Sequence, residues 1–212
     1  MAILRWIFAI VAIALLLAIA DGTLLRWWNM PPRMVIHAPL PFKPYSEAVW
    51  DIMKAARAAS RADDHKRAVD LYTQALALEP GPNTATRDLL ALRGSEYNYL
   101  NMSEQAFSDY DVAIRIGFYG RPSTDGALRA FMGRGYASVN MAQYARAKED
   151  FDAVLNELPS DVPRSSATLA WRGAAYQGLG DRAHAIADYR AALALYPKNA
   201  YALTALKDLD AP

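Results

Sequence analysis

From Glu47 onward, apolar residues recur at three- and four-residue intervals, the spacing that gathers side chains on one face of an α-helix, and prolines fall mostly between the patterned stretches. Alternating β-branched runs are missing, so the body is predicted to be helical with almost no strand. The amino end follows a different pattern. After Met1–Arg5, the fifteen residues Trp6 to Ala20 carry no charge, and residues 1–28 are predicted to form one hydrophobic helix. Two readings of it stay open. The ending Ala18-Ile19-Ala20 suits a cleaved secretory signal, which would leave a soluble periplasmic or secreted body. Alternatively the segment is a retained signal anchor: Arg5 can snorkel, Ile3 and Leu4 extend the apolar length toward the ~20 residues of a span, and Trp27 and Trp28 sit where an interfacial belt would lie. The very short leading tail places the amino end in the cytoplasm and the body on the extracytoplasmic, periplasmic side. Residues 29–46, with Pro31, Pro32, Pro39, Pro41 and Pro44, read as a semi-stiff spacer.

Within the body the pattern repeats. Gly94, Gly135 and Gly173 are 41 and 38 residues apart, and Ala68, Ala106, Ala147 and Ala185 are 38, 41 and 38 apart. Each alanine is followed four residues on, one helical turn later, by an aromatic: Tyr72, Tyr110, Phe151 and Tyr189. Three of the four units close on a proline, Pro80, Pro159 or Pro197, which cannot continue a helix. The small residues imply helix backbones in close approach, with the aromatics filling the space beside them.

Gly-x2-Tyr at Gly94/Tyr97 and Gly173/Tyr176, followed by Ala-x3-aromatic and a terminal proline, resembles the tetratricopeptide repeat, whose usual period is about 34 residues. The resemblance implies an all-α solenoid over residues 47–212: about four helix-turn-helix repeats near 49–82, 87–120, 128–161 and 166–199, and a capping helix over 200–210 with a polar outer side. The first unit has Ala55-Ala56-Arg57-Ala58-Ala59 in place of the glycine and tyrosine, which predicts looser packing or an end cap. In the second, Tyr119 to Gly126 reads as a loop. A second regularity is charged. Arg93, Arg134 and Arg172 precede the glycines, Asp109, Asp150 and Asp188 precede the aromatics, and the first unit, with Ala55 and Leu71 there, lacks both. Joint presence and absence suggest ion pairs within a unit or between neighbours; the alternative is a solvated face.

Composition narrows the function. A net charge of +1 gives no bias toward nucleic acid, and the absence of cysteine removes disulfides, thiolate metal sites and thiol nucleophiles. His37, His65 and His184 fall in the spacer and in turns, where solvation is expected, and Glu149-Asp150-Asp152 reads as a solvated run. Gly133-Arg134-Gly135 and Gly178-Leu179-Gly180 follow no predicted strand, which rules out a dinucleotide loop. No catalytic, metal-binding or cofactor-binding residue is predicted, nor any small-molecule substrate.

What the resemblance leaves is a concave groove for a peptide or helix of a protein partner. The expected groove residues are Met53, Lys54, Arg57, Arg61, Ser95, Asn98, Tyr99, Arg129, Met132, Tyr136, Asn140, Trp171, Ala174 and Gln177. A carboxylate clamp of the kind some family members use is not expected, because Met53, Leu92 and Gly133 stand in its columns. The chain therefore reads as a membrane-tethered scaffold that helps assemble or stabilise a cell-envelope complex. An accessory subunit of one membrane enzyme, its first helix packed on partner helices, is the alternative; an RNA-binding helical repeat is the third reading.

Overall fold

The structure is a computed structural model that describes residues 45–79, 81–117, 125–157 and 162–210. The predicted hydrophobic helix of residues 1–28 and nearly all of the spacer lie outside the described residues. Among those described there are helices and turns but no strand, and no helix is long and apolar enough to cross a membrane. The helices are α1 (Glu47–Arg61), α2 (His65–Leu78), α3 (Thr84–Tyr99), α4 (Ser103–Gly117), α5 (Asp125–Asn140), α6 (Tyr144–Glu157), α7 (Val162–Gly178), α8 (Arg182–Leu195) and α9 (Ala200–Asp210).

Odd and even helices pair as four hairpins, α1/α2 to α7/α8, and each hairpin packs on the next. Their turns share one geometry. Asp63, Asn101, Ala142 and Gly180 stand at φ of 58°, 57°, 57° and 80°, at the same 38–41–38 spacing as the alanines. The next residue's N–H reaches back five residues in every case, Asp64 to Ala59, Met102 to Tyr97, Gln143 to Ser138 and Asp181 to Tyr176, at 2.8–3.0 Å. This closure satisfies carbonyls that a helix end leaves without partners. Aspartate, asparagine and glycine enter the left-handed region readily, whereas the Cβ of alanine is strained there. Ala142→Gly is therefore expected to stabilise the fold by about 0.5–1 kcal/mol. Chemical denaturation would show it as a higher midpoint, and no change would mean the turn relaxes at no cost.

The glycine column works as the sequence implies. A Cβ on Gly94 would stand 3.2 Å from Tyr110 Cε2, one on Gly135 2.7 Å from Phe151 Cε1, and one on Gly173 2.8 Å from Tyr189 Cε1. Two further glycines make the same close approach between hairpins, Gly133 against Tyr110 and Gly178 against Tyr144. Tyr110 thus wedges between α3 of its own unit and α5 of the next. The apolar core is correspondingly a row of small clusters, one running into another.

The charged columns pair both within and between hairpins. Arg134 Nε and Nη2 donate to Asp150 at 3.0 and 2.7 Å, and its Nη1 reaches Asp111 of the preceding unit at 2.7 Å. Arg172 holds Asp188 at 2.7 and 2.8 Å and Asp152 at 2.7 Å; Arg93 holds Asp109 at 2.7 Å twice and Thr73 Oγ1 at 3.0 Å. The carboxylates of Asp109, Asp150 and Asp188 are buried, so the solvated-face alternative fails, and Asp150 leaves the acidic run predicted to be solvated. Burial raises the Asp150 carboxyl above the ordinary range even with Arg134 on it. Burial also pushes Asp152 up, but there the hydrogen bonds of Lys148 and Arg172 outweigh it and the carboxyl is lowered. The physical difference is depth, since Asp152 keeps contact with water.

Four expectations need correction. The first unit packs tightly: Val49, Met53, Ala56, Ala68, Tyr72 and Ala75 are all at most 1% exposed, methionine and alanine filling the volume that glycine and tyrosine share elsewhere. The end of the predicted second loop is helix, because α5 begins at Asp125. His65 is not solvated: it stands 2.7 Å from the buried carboxylate of Glu96 and stacks on Tyr99 at 4.5 Å, joining the first two units. The outer side of α9 is mixed, with Tyr201 and Leu203 exposed beside Lys207. What fixes α9 is polar: Asn199 caps it, donates to Ser166, and Arg182 donates to the Leu209 carbonyl.

Candidate functional site: the concave groove

The odd-numbered helices line one open groove of about 1230 Å³. That exceeds the ~300–1,000 Å³ of small-molecule sites and suits a length of polypeptide. α1 contributes Arg57 and Arg61, one turn apart on one face. α3 contributes Arg87, Asp88, Ala91, Leu92, Ser95, Asn98 and Tyr99; α5 contributes Gly126, Arg129, Met132, Gly133 and Tyr136; α7 contributes Trp171. Tyr45 borders the groove just before α1, and the rings of Tyr110 and Phe151 reach its floor from the even helices.

Charged side chains line the groove on α1, α3 and α5, and α7 adds none. Asp88 is engaged on both oxygens, by Arg87 at 2.8 Å and by the Tyr45 hydroxyl at 3.1 Å. Partial burial and then the charge of Asp88 push the Tyr45 phenol up to about 12, so it remains a donor. In the middle, Asn98 is anchored by its Nδ2, which donates to the Gly133 carbonyl at 3.0 Å and ties α3 to α5. Burial raises the Tyr110 phenol beside it. At the other end, Trp171 meets Tyr136 edge-on, centroids 4.6 Å apart, and lies against Tyr201 of α9 at 4.4 Å and 28°. These rings rest on one another before any ligand arrives.

Nine of the fourteen residues expected in the groove border it: Arg57, Arg61, Ser95, Asn98, Tyr99, Arg129, Met132, Tyr136 and Trp171. The other five do not. Met53 and Ala174 are buried, because the first helices also turn an apolar face to their partners and these two belong to it. Lys54 is exposed and pairs with Asp51 at 2.7 Å. Asn140 is exposed at the end of α5, and Gln177 accepts a hydrogen bond from the Tyr189 hydroxyl at 2.9 Å. Arg87, Asp88 and Ala91 were missed although the helical period running back from Ser95 reaches them. Tyr45, Tyr110 and Phe151 carry no such signal, because they enter from outside the first-helix pattern. Among the described residues no group of three or more acidic or histidine side chains could hold a metal ion.

A family model described as tetratricopeptide repeat matches residues 166–199, the α7/α8 hairpin. The described body has the fold of a tetratricopeptide-type helical repeat. Solved structures agree with this at the level of the fold. MamA, residues 41 to the end, from Desulfovibrio magneticus RS-1 superposes with a TM-score of 0.62 at 18% identity, over 74% of this chain and 81% of that one. BtubC from P. vanneervenii gives 0.61 at 18% identity, over 69% and 62%. The tetratricopeptide domain of Sgt2 from Aspergillus fumigatus gives 0.51 at 22% identity, over 64% and 82%. Among proteins of curated function, none is similar enough in sequence to match. The family-model match falls on the unit whose pattern is most complete, the fourth, where glycine, tyrosine, alanine and proline all stand in their columns.

Proposed function

We propose that this solenoid is a non-catalytic interaction scaffold that holds a segment of a partner protein along its concave groove. The observation that carries the reading is the groove, an open trough across successive repeats with arginines on α1, α3 and α5 and an aromatic end at Trp171. The apolar run Trp6–Ala20 supports tethering to a membrane with the body on the extracytoplasmic side, where the scaffold would help assemble or stabilise a cell-envelope complex. If the run is cleaved, the same body acts as a soluble periplasmic or secreted protein. Service to one membrane enzyme as an accessory subunit rests on the same run and differs in having a single stoichiometric partner. An RNA-binding role fits less well, because the cations of the groove end at α5, Arg87 is already paired with Asp88, and the net charge of the chain is only +1.

A photo-crosslinking residue placed at Arg61, Tyr99 or Arg129 in the full chain, in native membranes, is expected to capture a defined polypeptide. At Glu104 or Arg190, exposed and away from the groove, it is expected to capture none. Equal capture at all five positions would sink the groove reading. The intact mass of the protein itself, taken from the same membranes, reports whether residues 1–20 are retained.

A further inference from the structure

We infer that the groove selects a bipolar segment: acidic residues at the α1 end and an aromatic residue or proline at the α7 end. This rests on the groove being the partner-binding face. Arg57 and Arg61 sit one turn apart on the exposed side of α1, and the groove lining around them contains one carboxylate, Asp88, already held by Arg87 and Tyr45. Two like charges at this spacing disfavour their own helix. An anion between them removes that repulsion, so the bound state gains what the free state lacks. The other end offers no ion. Trp171, fixed between Tyr136 and Tyr201, presents a rigid apolar surface that loses little freedom when a ring or a proline settles on it.

The separation of the two ends sets a length. Neighbouring helices in contact lie about 8–10 Å apart, so three steps from α1 to α7 cover about 24–30 Å, or roughly seven to nine residues of extended chain at ~3.3 Å each. A helix would need about twice that number. Nucleic acid carries phosphate along its whole length and is poorly matched to a groove whose cations stop part-way.

The test is selection of random 12-residue peptides by the full chain in detergent. The expected result is enrichment of two acidic residues spaced roughly seven to nine positions from Trp, Tyr, Phe or Pro. For a selected peptide, the double variant Arg57→Glu/Arg61→Glu should bind about 10–100-fold more weakly, and Lys replacing the acidic residues of the peptide should restore binding to it. Both arginines are exposed, and circular dichroism of the double variant reports whether the helices persist. Trp171→Ala should weaken the same peptide about 10-fold or more without changing its salt dependence. Enrichment of peptides without acidic bias, or acidic peptides indifferent to the arginine reversal, would overturn the bipolar rule while leaving the groove as a peptide site. No enrichment at all would remove the groove reading itself. Salt-dependent binding of a twelve-nucleotide uridylate with no peptide enriched would assign the groove to nucleic acid instead.

Discussion

Replacing Arg134 by alanine is expected to destabilise the solenoid by about 3–5 kcal/mol, the cost of stranding a buried carboxylate without its counter-charge. Asp150 is 3% exposed and takes two of the guanidinium's bonds, while the third goes to Asp111 in the neighbouring hairpin. The variant therefore loses a clasp inside the third unit and a link to the second. Because each repeat contacts only its neighbours, a weakened link should also broaden the unfolding transition. Arg115→Ala provides the contrast: its pair with Asp111 spans 3.3 Å on a side chain 69% exposed, and a change under about 0.5 kcal/mol is expected. Acidity adds a sign. A carboxyl whose folded-state pKa lies above its unfolded value costs stability at neutral pH, and that cost fades as pH falls through the raised value. Burial raises Asp150 in this way, and removing Arg134 raises it further. The gap between the variant and the parent should thus narrow between pH 7 and about pH 4. Urea titrations of both chains across that range would measure it; a gap that is constant or widens would mean that Asp150 does not bear the loss.

The same arginines show how far sequence could be read. Their column, and the matching aspartate column, were visible because both follow the repeat and are absent from the first unit together. Pairing was therefore legible. Its depth was not, since an i, i+4 pattern places a charge on a face without saying what covers that face. The third contact, to Thr73, Asp111 or Asp152, depends on the offset between hairpins, which no local spacing encodes. The expectation for His65 fails for the same reason: a turn residue is exposed unless the next unit folds over it, and here Glu96 and Tyr99 do. In the groove, surface residues of the first helices follow from helical period, whereas Met53 and Ala174 belong to the buried face, which period alone does not tell from the groove face when both carry apolar residues. The left-handed turn column is not legible in sequence because its four residues, Asp63, Asn101, Ala142 and Gly180, share a backbone conformation and little chemistry.

Phe151→Ala tests the contact on which the repeat depends. The ring is fully buried in a cluster with Ala147 and Ala175 and lies where a Cβ on Gly135 would fall 2.7 Å from its edge. Removing it opens a cavity in one of the small cores, and a loss of about 3–5 kcal/mol is expected. Gly135→Leu alone should cost about 1–3 kcal/mol or more, since the new side chain meets a ring that close packing holds in place. Alanine at 151 makes room for leucine at 135. The double variant should then be more stable than the sum of the two losses implies, with a coupling of roughly 1–3 kcal/mol. Glycine's low helix propensity works in the same direction for any substituent at 135, so Gly135→Ala in the Phe151→Ala background separates that effect, worth about 1 kcal/mol, from cavity filling. Strict additivity of the two single losses would show that glycine and aromatic do not share space. The repeated column would then owe its small residue to something other than close approach of the helices.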